Sequence, residues 1–77
     1  MSKREQVREI VARALAEAGD TDAFADGDSL MVSGRLSSLD VVNILLELEE
    51  AFGLEVGADD FDPMRFDTVD SIVELLG

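Results

Sequence analysis

Apolar residues near the start of the chain recur at steps of three and four, the spacing of one face of an α-helix. The pattern predicts a first helix over residues 3–18, with a capping box formed by Ser2 and Glu5 and a stop at Gly19. Charged residues occupy the opposite side, so we expect one face of this helix to cover a small core. The expected core stripe consists of Val7, Ile10, Val11, Ala14, Leu15 and Ala18.

Residues 19–37 are rich in Asp and Gly, which predicts a long connection rather than a helix. A calcium-binding loop does not fit its acids, because an EF-hand that starts at Asp22 places Phe24 and Ser33 where an oxygen ligand and a bidentate Glu are required. We therefore interpret these acids as solvated turn residues: Asp20, Asp22, Asp26 and Asp28. The residues expected to fasten the connection to the core are Phe24, Leu30, Met31 and Leu36.

A second helix is predicted over residues 38–52, after a glycine turn and two serines. Ser37 precedes Asp40 by three residues, so Ser37 or Ser38 can cap the first backbone N–H groups. The apolar residues of this helix cover an arc of about 220°, against roughly 100° for a common surface helix. Either the helix is central and packs against several neighbours, or part of its apolar surface meets partner proteins, and both can hold.

The last third of the chain shows weaker helix signals. Gly53 ends the second helix, and an extended piece is predicted around Leu54 and Val56. Asp62 followed by Pro63 is a helix start signal, but it opens only about one turn. A last helix is expected from Asp67 or Thr68 onwards. The residues expected to anchor this part to the core are Phe61, Met64 and Phe66.

These elements predict an all-α fold. We expect a small four-helix bundle of three main helices plus one short helix, with a long loop between helices 1 and 2. A chain of 77 residues is short enough to form a single domain over residues 1–77.

The composition of the chain limits the classes of function that we expect. The net charge of −12 disfavours nucleic acids and favours partners with basic patches. Because the chain has neither histidine nor cysteine, the commonest general base and the usual zinc ligands are missing, and we expect neither an enzyme nor a metal site. No apolar run is long enough to cross a bilayer, and no secretory signal is visible. We expect a cytoplasmic monomer without membrane insertion.

The glycine turn, the serine pair and the acidic helix occur in Ser33-Gly34-Arg35-Leu36-Ser37-Ser38-Leu39-Asp40 and the residues through Phe52. This arrangement resembles the acyl carrier protein family, and the likeness runs from about residue 5 to residue 76. The family usually has Asp before the serine, where this chain has Ser37, and many members have Glu at the position of Asn43. The resemblance implies that Ser38 carries a 4′-phosphopantetheine arm. In the family, the arm holds acyl groups as thioesters for enzymes of fatty acid, polyketide or related biosynthesis.

The resemblance also implies partners. A phosphopantetheinyl transferase would move the arm from coenzyme A, and acyl-transferring or condensing enzymes with basic docking patches would bind the second helix. The expected partner-binding residues are Leu39, Asp40, Asn43, Leu46, Glu47, Glu49 and Glu50. Three alternatives stay open: an aminoacyl or peptidyl carrier, an unmodified acidic protein-interaction domain with the same fold, and Ser38 as a helix cap alone.

Overall fold

A computed structural model describes residues 2–53 and 62–76. These residues form three α-helices, α1 (Lys3–Glu17), α2 (Ser38–Phe52) and α3 (Val69–Leu76), and a 3₁₀ helix (Pro63–Phe66) precedes α3. The all-α class is therefore confirmed for this part of the chain. The predicted short helix is a single 3₁₀ turn, so the described residues do not confirm a four-helix bundle. The extended piece predicted around Leu54 and the Phe61 anchor lie outside the described residues.

Helix α1 begins and ends on local signals. The Ser2 hydroxyl accepts a hydrogen bond from the Glu5 backbone N–H at 3.1 Å. Gly19 adopts a left-handed φ of 88° and donates its N–H to the Ala16 carbonyl at 3.0 Å, which closes the last turn. The helix therefore stops at Glu17, and the prediction that Ala18 belongs to the core stripe is wrong because Ala18 is exposed. The buried residues of α1 are Val7, Ile10, Val11 and Leu15.

The core lies where α1 packs against both α2 and α3, with the 3₁₀ helix closing one side against α2 and α3. Helix α2 contributes three side chains with no exposed surface, Val41, Ile44 and Leu48. Phe66 is 6% exposed, so its predicted role as an anchor is confirmed. Met64 is 52% exposed, and its predicted role as an anchor is wrong, since the 3₁₀ turn leaves that side chain in solvent.

The connection between α1 and α2 is fastened to this core as predicted. Leu30 and Leu36 are buried, and Phe24 and Met31 are partly buried against the same cluster. The Leu36 N–H donates to the Leu30 carbonyl at 2.9 Å, so the two leucines form the base of a small loop. The loop holds the end of the connection against the core immediately before α2 begins.

Two acids of this connection, predicted to be solvated, form ion pairs instead. Asp26 accepts hydrogen bonds from Arg4 and Arg8, and Arg4 also contacts Asp70 at 2.5 Å. These bonds, from Arg4 first and Arg8 second, hold the pKa of Asp26 below its ordinary range. Asp20 pairs with an arginine close to the serines, as described below. The interpretation as solvated turn acids is therefore wrong for Asp20 and Asp26.

Helix α3 begins next to the predicted position near Asp67 or Thr68. The Thr68 hydroxyl accepts a hydrogen bond from the Ser71 N–H at 3.0 Å, and the helix begins at Val69. Asp67, one of the two predicted starting residues, is instead buried beneath the connection. The Thr68 cap accounts for the helix start predicted at this point of the sequence.

Candidate functional site

The two serines at the start of α2 have different environments, and Ser37 is the cap. Its hydroxyl accepts a hydrogen bond from the Asp40 N–H at 3.2 Å and donates one to the Asp40 carboxylate at 3.0 Å. The same carboxylate accepts the Ser37 backbone N–H at 3.0 Å. The predicted capping box is therefore confirmed, with both of its hydrogen bonds in place.

Ser38 is the first residue of α2, and its side chain is exposed. Its hydroxyl forms no hydrogen bond with any other residue in the described part of the chain. The free backbone N–H groups and the dipole of a first helical turn both favour a nearby phosphate. A phosphodiester on this oxygen therefore fits the position both sterically and electrostatically.

The capping role of Ser37 leads to a stability prediction. Replacing Ser37 with Ala should lower the free energy of unfolding by about 1 kcal/mol, because the first N–H groups of α2 lose their acceptor. Urea unfolding followed by circular dichroism measures the loss. Ser38→Ala is the matched control and should change stability by less than about 0.5 kcal/mol, as for other exposed residues. Equal losses in the two variants would contradict the assignment of the cap to Ser37.

Arg35 holds the residues just before the serines. Its guanidinium binds both oxygens of Asp20, at 2.7 and 3.1 Å, and donates to the carbonyl groups of Asp22 at 2.8 Å and Ala23 at 3.2 Å. The two charged side chains are only 20% and 23% exposed. Although Arg35 lies close to Ser38 in sequence, its guanidinium is committed to the connection after α1, where it has a structural role.

This ion pair predicts how stability depends on pH. The hydrogen bond from Arg35, and then the Asp22 backbone N–H, hold the pKa of Asp20 below its ordinary value of 3.8. A carboxyl group whose pKa is lowered in the folded state stabilises the fold at pH values above its ordinary pKa. This stabilisation is lost as pH falls through the folded-state pKa. Arg35→Ala should therefore lower stability at neutral pH, and the difference from the wild type should shrink in acid.

Chemical unfolding at a series of pH values measures this difference. Arg65→Ala is the matched control, since it removes the same charge from a residue that forms no ion pair in the described part of the chain. The prediction fails if the Arg35→Ala deficit is the same at every pH, or if Arg65→Ala reproduces it.

The solvent side of α2 carries a mixed apolar and polar surface, which we call the outer face of α2. Leu39 is 70% exposed and Leu46 is 56% exposed, although both are large apolar residues. The outer face consists of Leu39, Val42, Asn43, Leu46 and Glu50. The broad apolar arc of α2 therefore divides into a packed side and a side that reaches solvent, and the alternative that the exposed part meets partner proteins stays a prediction.

The remaining predicted partner-binding residues lie at the edges of this face. Glu47 and Glu49 are half-buried on opposite flanks, and Asp40 is half-buried in the capping box. Val42 is also a member of the outer face, although it is not among the predicted partner-binding residues. Its spacing of three residues from Leu39 and four from Leu46 is the signal that places it there.

The outer face is electrostatically acidic. Residues 38–52 contain no lysine or arginine. Arg4, Arg8 and Arg35 form ion pairs with acids outside α2. Arg13 lines a shallow groove of ≈ 290 Å³ together with Glu47 and Glu50. A negative field around exposed leucines suits a partner whose contact surface is basic and apolar.

A family model described as a phosphopantetheine attachment site matches residues 5–76. The chain belongs to the phosphopantetheine-binding carrier family. Members of this family carry a covalently attached 4′-phosphopantetheine group, and they are generally carriers rather than catalysts. They interact with phosphopantetheinyl transferases and with partner enzymes. The resemblance drawn from the serine motif and the acidic helix is confirmed at this level.

Among curated proteins, the chain is similar to the D-alanyl carrier protein of Lacticaseibacillus casei (strain BL23), with 38% identity over 45 residues. That match covers 58% of this chain and 56% of the relative, so this carrier chain aligns with little more than half of that protein. No solved structure matches the chain significantly.

None of the described helices has both the length and the apolar character needed to cross a membrane. In residues 2–53 and 62–76, no three acidic side chains are grouped so that they could hold a metal ion.

Proposed function

We propose that Ser38 is the residue of this carrier to which the 4′-phosphopantetheine arm is attached. The observation that carries the proposal is the contrast between the neighbouring hydroxyls. The Ser37 oxygen is held by Asp40, whereas the Ser38 oxygen is exposed and has no hydrogen-bond partner in the described part of the chain. The Ser37 cap also keeps Ser38 in the first turn of α2, with its side chain directed into solvent.

Coenzyme A is the donor of the arm in this transfer reaction. A new bond forms between Ser38 Oγ and the phosphorus of the phosphopantetheine, the pyrophosphate P–O bond of coenzyme A breaks, and 3′,5′-ADP leaves. The hydroxyl proton needs a base, and the chain has no histidine. The transferase therefore supplies the base, and the carrier supplies an accessible oxygen. When attached, the arm provides a thiol that can hold a carboxylic acid as a thioester.

Intact-mass measurement tests the proposal. The chain is co-expressed with a broad-specificity phosphopantetheinyl transferase, and peptide mapping then locates the added group. We expect quantitative addition of one arm on the peptide that contains Ser38, with fragment ions assigning it to that residue. An unmodified protein under these conditions would instead support the alternative of an acidic interaction domain.

We further propose that the outer face of α2, with Asp40, Glu47 and Glu49 at its edges, is where partner enzymes dock. Leu39 follows Ser38 directly in the chain, so a partner that covers this face has the modified residue at its border. The exposed leucines offer apolar contact area, and the surrounding acids speed encounters with a basic partner.

The cargo has two candidate classes. The general acyl carrier pattern favours a fatty acyl or polyketide group, and the similarity to a D-alanyl carrier protein favours an aminoacyl group. Purification of the carrier from its native cells, release of the thioester with hydroxylamine and mass analysis of the product separate the two. An alanine derivative would support the aminoacyl class, and an aliphatic acyl derivative would support the first.

A further inference from the structure

Asp67 is a buried carboxylate that the proposed carrier function leaves unexplained. It lies between the 3₁₀ helix and α3 and is 8% exposed, and in the described residues no other polar or charged residue is buried. A carboxylate in such a position is costly unless hydrogen bonds satisfy it.

The carboxylate and the backbone carbonyl of Asp67 accept hydrogen bonds from one short segment of the connection. Its carboxylate accepts the Met31 N–H at 2.6 Å and the Ser29 hydroxyl, and its carbonyl oxygen accepts the Leu30 N–H at 3.0 Å. Three consecutive residues are thus held by one residue far along the chain. The two carboxylate contacts join residues that are 36 and 38 positions apart. This is a specific clamp between distant parts of the sequence.

The clamped segment leads directly to the serines. The Gly34 N–H donates to the Met31 carbonyl at 3.0 Å, and the Leu36 N–H donates to the Leu30 carbonyl at 2.9 Å. These bonds close a loop from residue 30 to residue 36. The next residue is Ser37, the cap of α2. A displacement of Leu30 would therefore move the backbone from which Ser38 projects.

We propose that Asp67 is a positioning residue for modification at Ser38. It holds the end of the connection that leads into Ser37, the cap on which the first turn of α2 and the alignment of the Ser38 hydroxyl depend. The inference rests on the proposed attachment at Ser38. Asp67 itself is buried and does not touch the reacting atoms. Its effect is on the fraction of docked complexes in which the hydroxyl is correctly aligned for attack.

The test is the kinetics of arm transfer from coenzyme A to purified apo-protein. In Asp67→Ala, kcat should fall roughly tenfold or more, because small misplacements of a reacting group cost large factors in rate. KM for the carrier should stay within about twofold, since the outer face of α2 is unchanged. Amide hydrogen exchange should become faster in residues 29–38 of the same variant, which is a readout that does not depend on activity.

Two further variants separate positioning from general loss of stability. Asp67→Asn should recover most of the rate, because an amide can accept from the Met31 N–H and donate to the Ser29 hydroxyl. Val11→Ala, in a fully buried position of α1, lowers stability without removing any hydrogen bond of Asp67 and should leave kcat unchanged. If Asp67→Ala does not fold, Ser29→Ala removes only one of the hydrogen bonds and should show a smaller fall in kcat.

The outcomes distinguish this inference from the function on which it rests. A wild-type chain that never accepts the arm would overturn the proposed function itself. A wild-type chain that accepts it, while Asp67→Ala matches Val11→Ala in kcat, would overturn the positioning role alone. Failure of Asp67→Asn to recover the rate, with its stability intact, would also overturn it.

Discussion

Ser38→Ala is expected to abolish incorporation of the phosphopantetheine arm, whereas Ser37→Ala is expected to retain it. The two residues are neighbours of the same type, so the pair isolates the effect of local environment. Ser38 offers an exposed hydroxyl without a partner in the described part of the chain, and the Ser37 hydroxyl is bound to Asp40. Removal of the acceptor oxygen leaves no atom on which the new phosphate bond can form at that position.

Intact-mass spectra of both variants, after reaction with the same transferase, give the result directly. Ser37→Ala loses its cap, so its folded fraction must be measured in parallel by circular dichroism. An arm that appears on Ser38→Ala, at Ser37 or elsewhere, would disprove the assignment. Loss of the arm in Ser37→Ala with its fold intact would show that the capping hydroxyl also takes part in recognition.

The double variant Glu47→Lys/Glu50→Lys is expected to slow association with a basic partner by roughly tenfold at low salt. Glu50 belongs to the outer face of α2 and Glu47 lies at its edge, next to the exposed Leu46 in the chain. Each replacement changes the charge by two, so the net charge goes from −12 to −8. The effect arises from the local field that steers encounter, and it should weaken as added salt screens the charges.

Stopped-flow association with the transferase, at several salt concentrations, measures the effect. The matched control is Glu9→Lys/Glu17→Lys, which makes the same change in net charge on exposed residues of α1. An equal reduction in both double variants would show that overall charge, rather than the outer face of α2, governs association. A rate that does not depend on salt would exclude electrostatic steering at this face.

Sequence patterns succeed here where the interactions are local. Ser37 contacts Asp40, three residues away, and Asp62 caps the 3₁₀ helix through the Met64 N–H at 3.0 Å. Gly53 ends α2 with a left-handed φ of 67°. Each depends on residues within one helical turn, so spacing alone predicts them.

The family resemblance predicted the attachment residue, and that resemblance also rests on a local motif. Periodicity alone left Ser37 and Ser38 equivalent as caps and left the broad apolar arc of α2 with two explanations. The structure separates the serines by their hydrogen bonds. It also shows which apolar residues of α2 find neighbours, because burial depends on where α1 and the 3₁₀ helix pack.

Residue type and spacing were therefore sufficient to predict the helices, most of their end signals, the acidic surface and the membership of a carrier family. The pairing of Asp20 with Arg35, the ion pairs of Asp26 and the burial of Asp67 became visible only in the folded chain. These contacts join residues that are far apart along the chain. Their free energy depends on distances and solvent exclusion that exist only after the helices pack, so spacing and residue type carry no record of them.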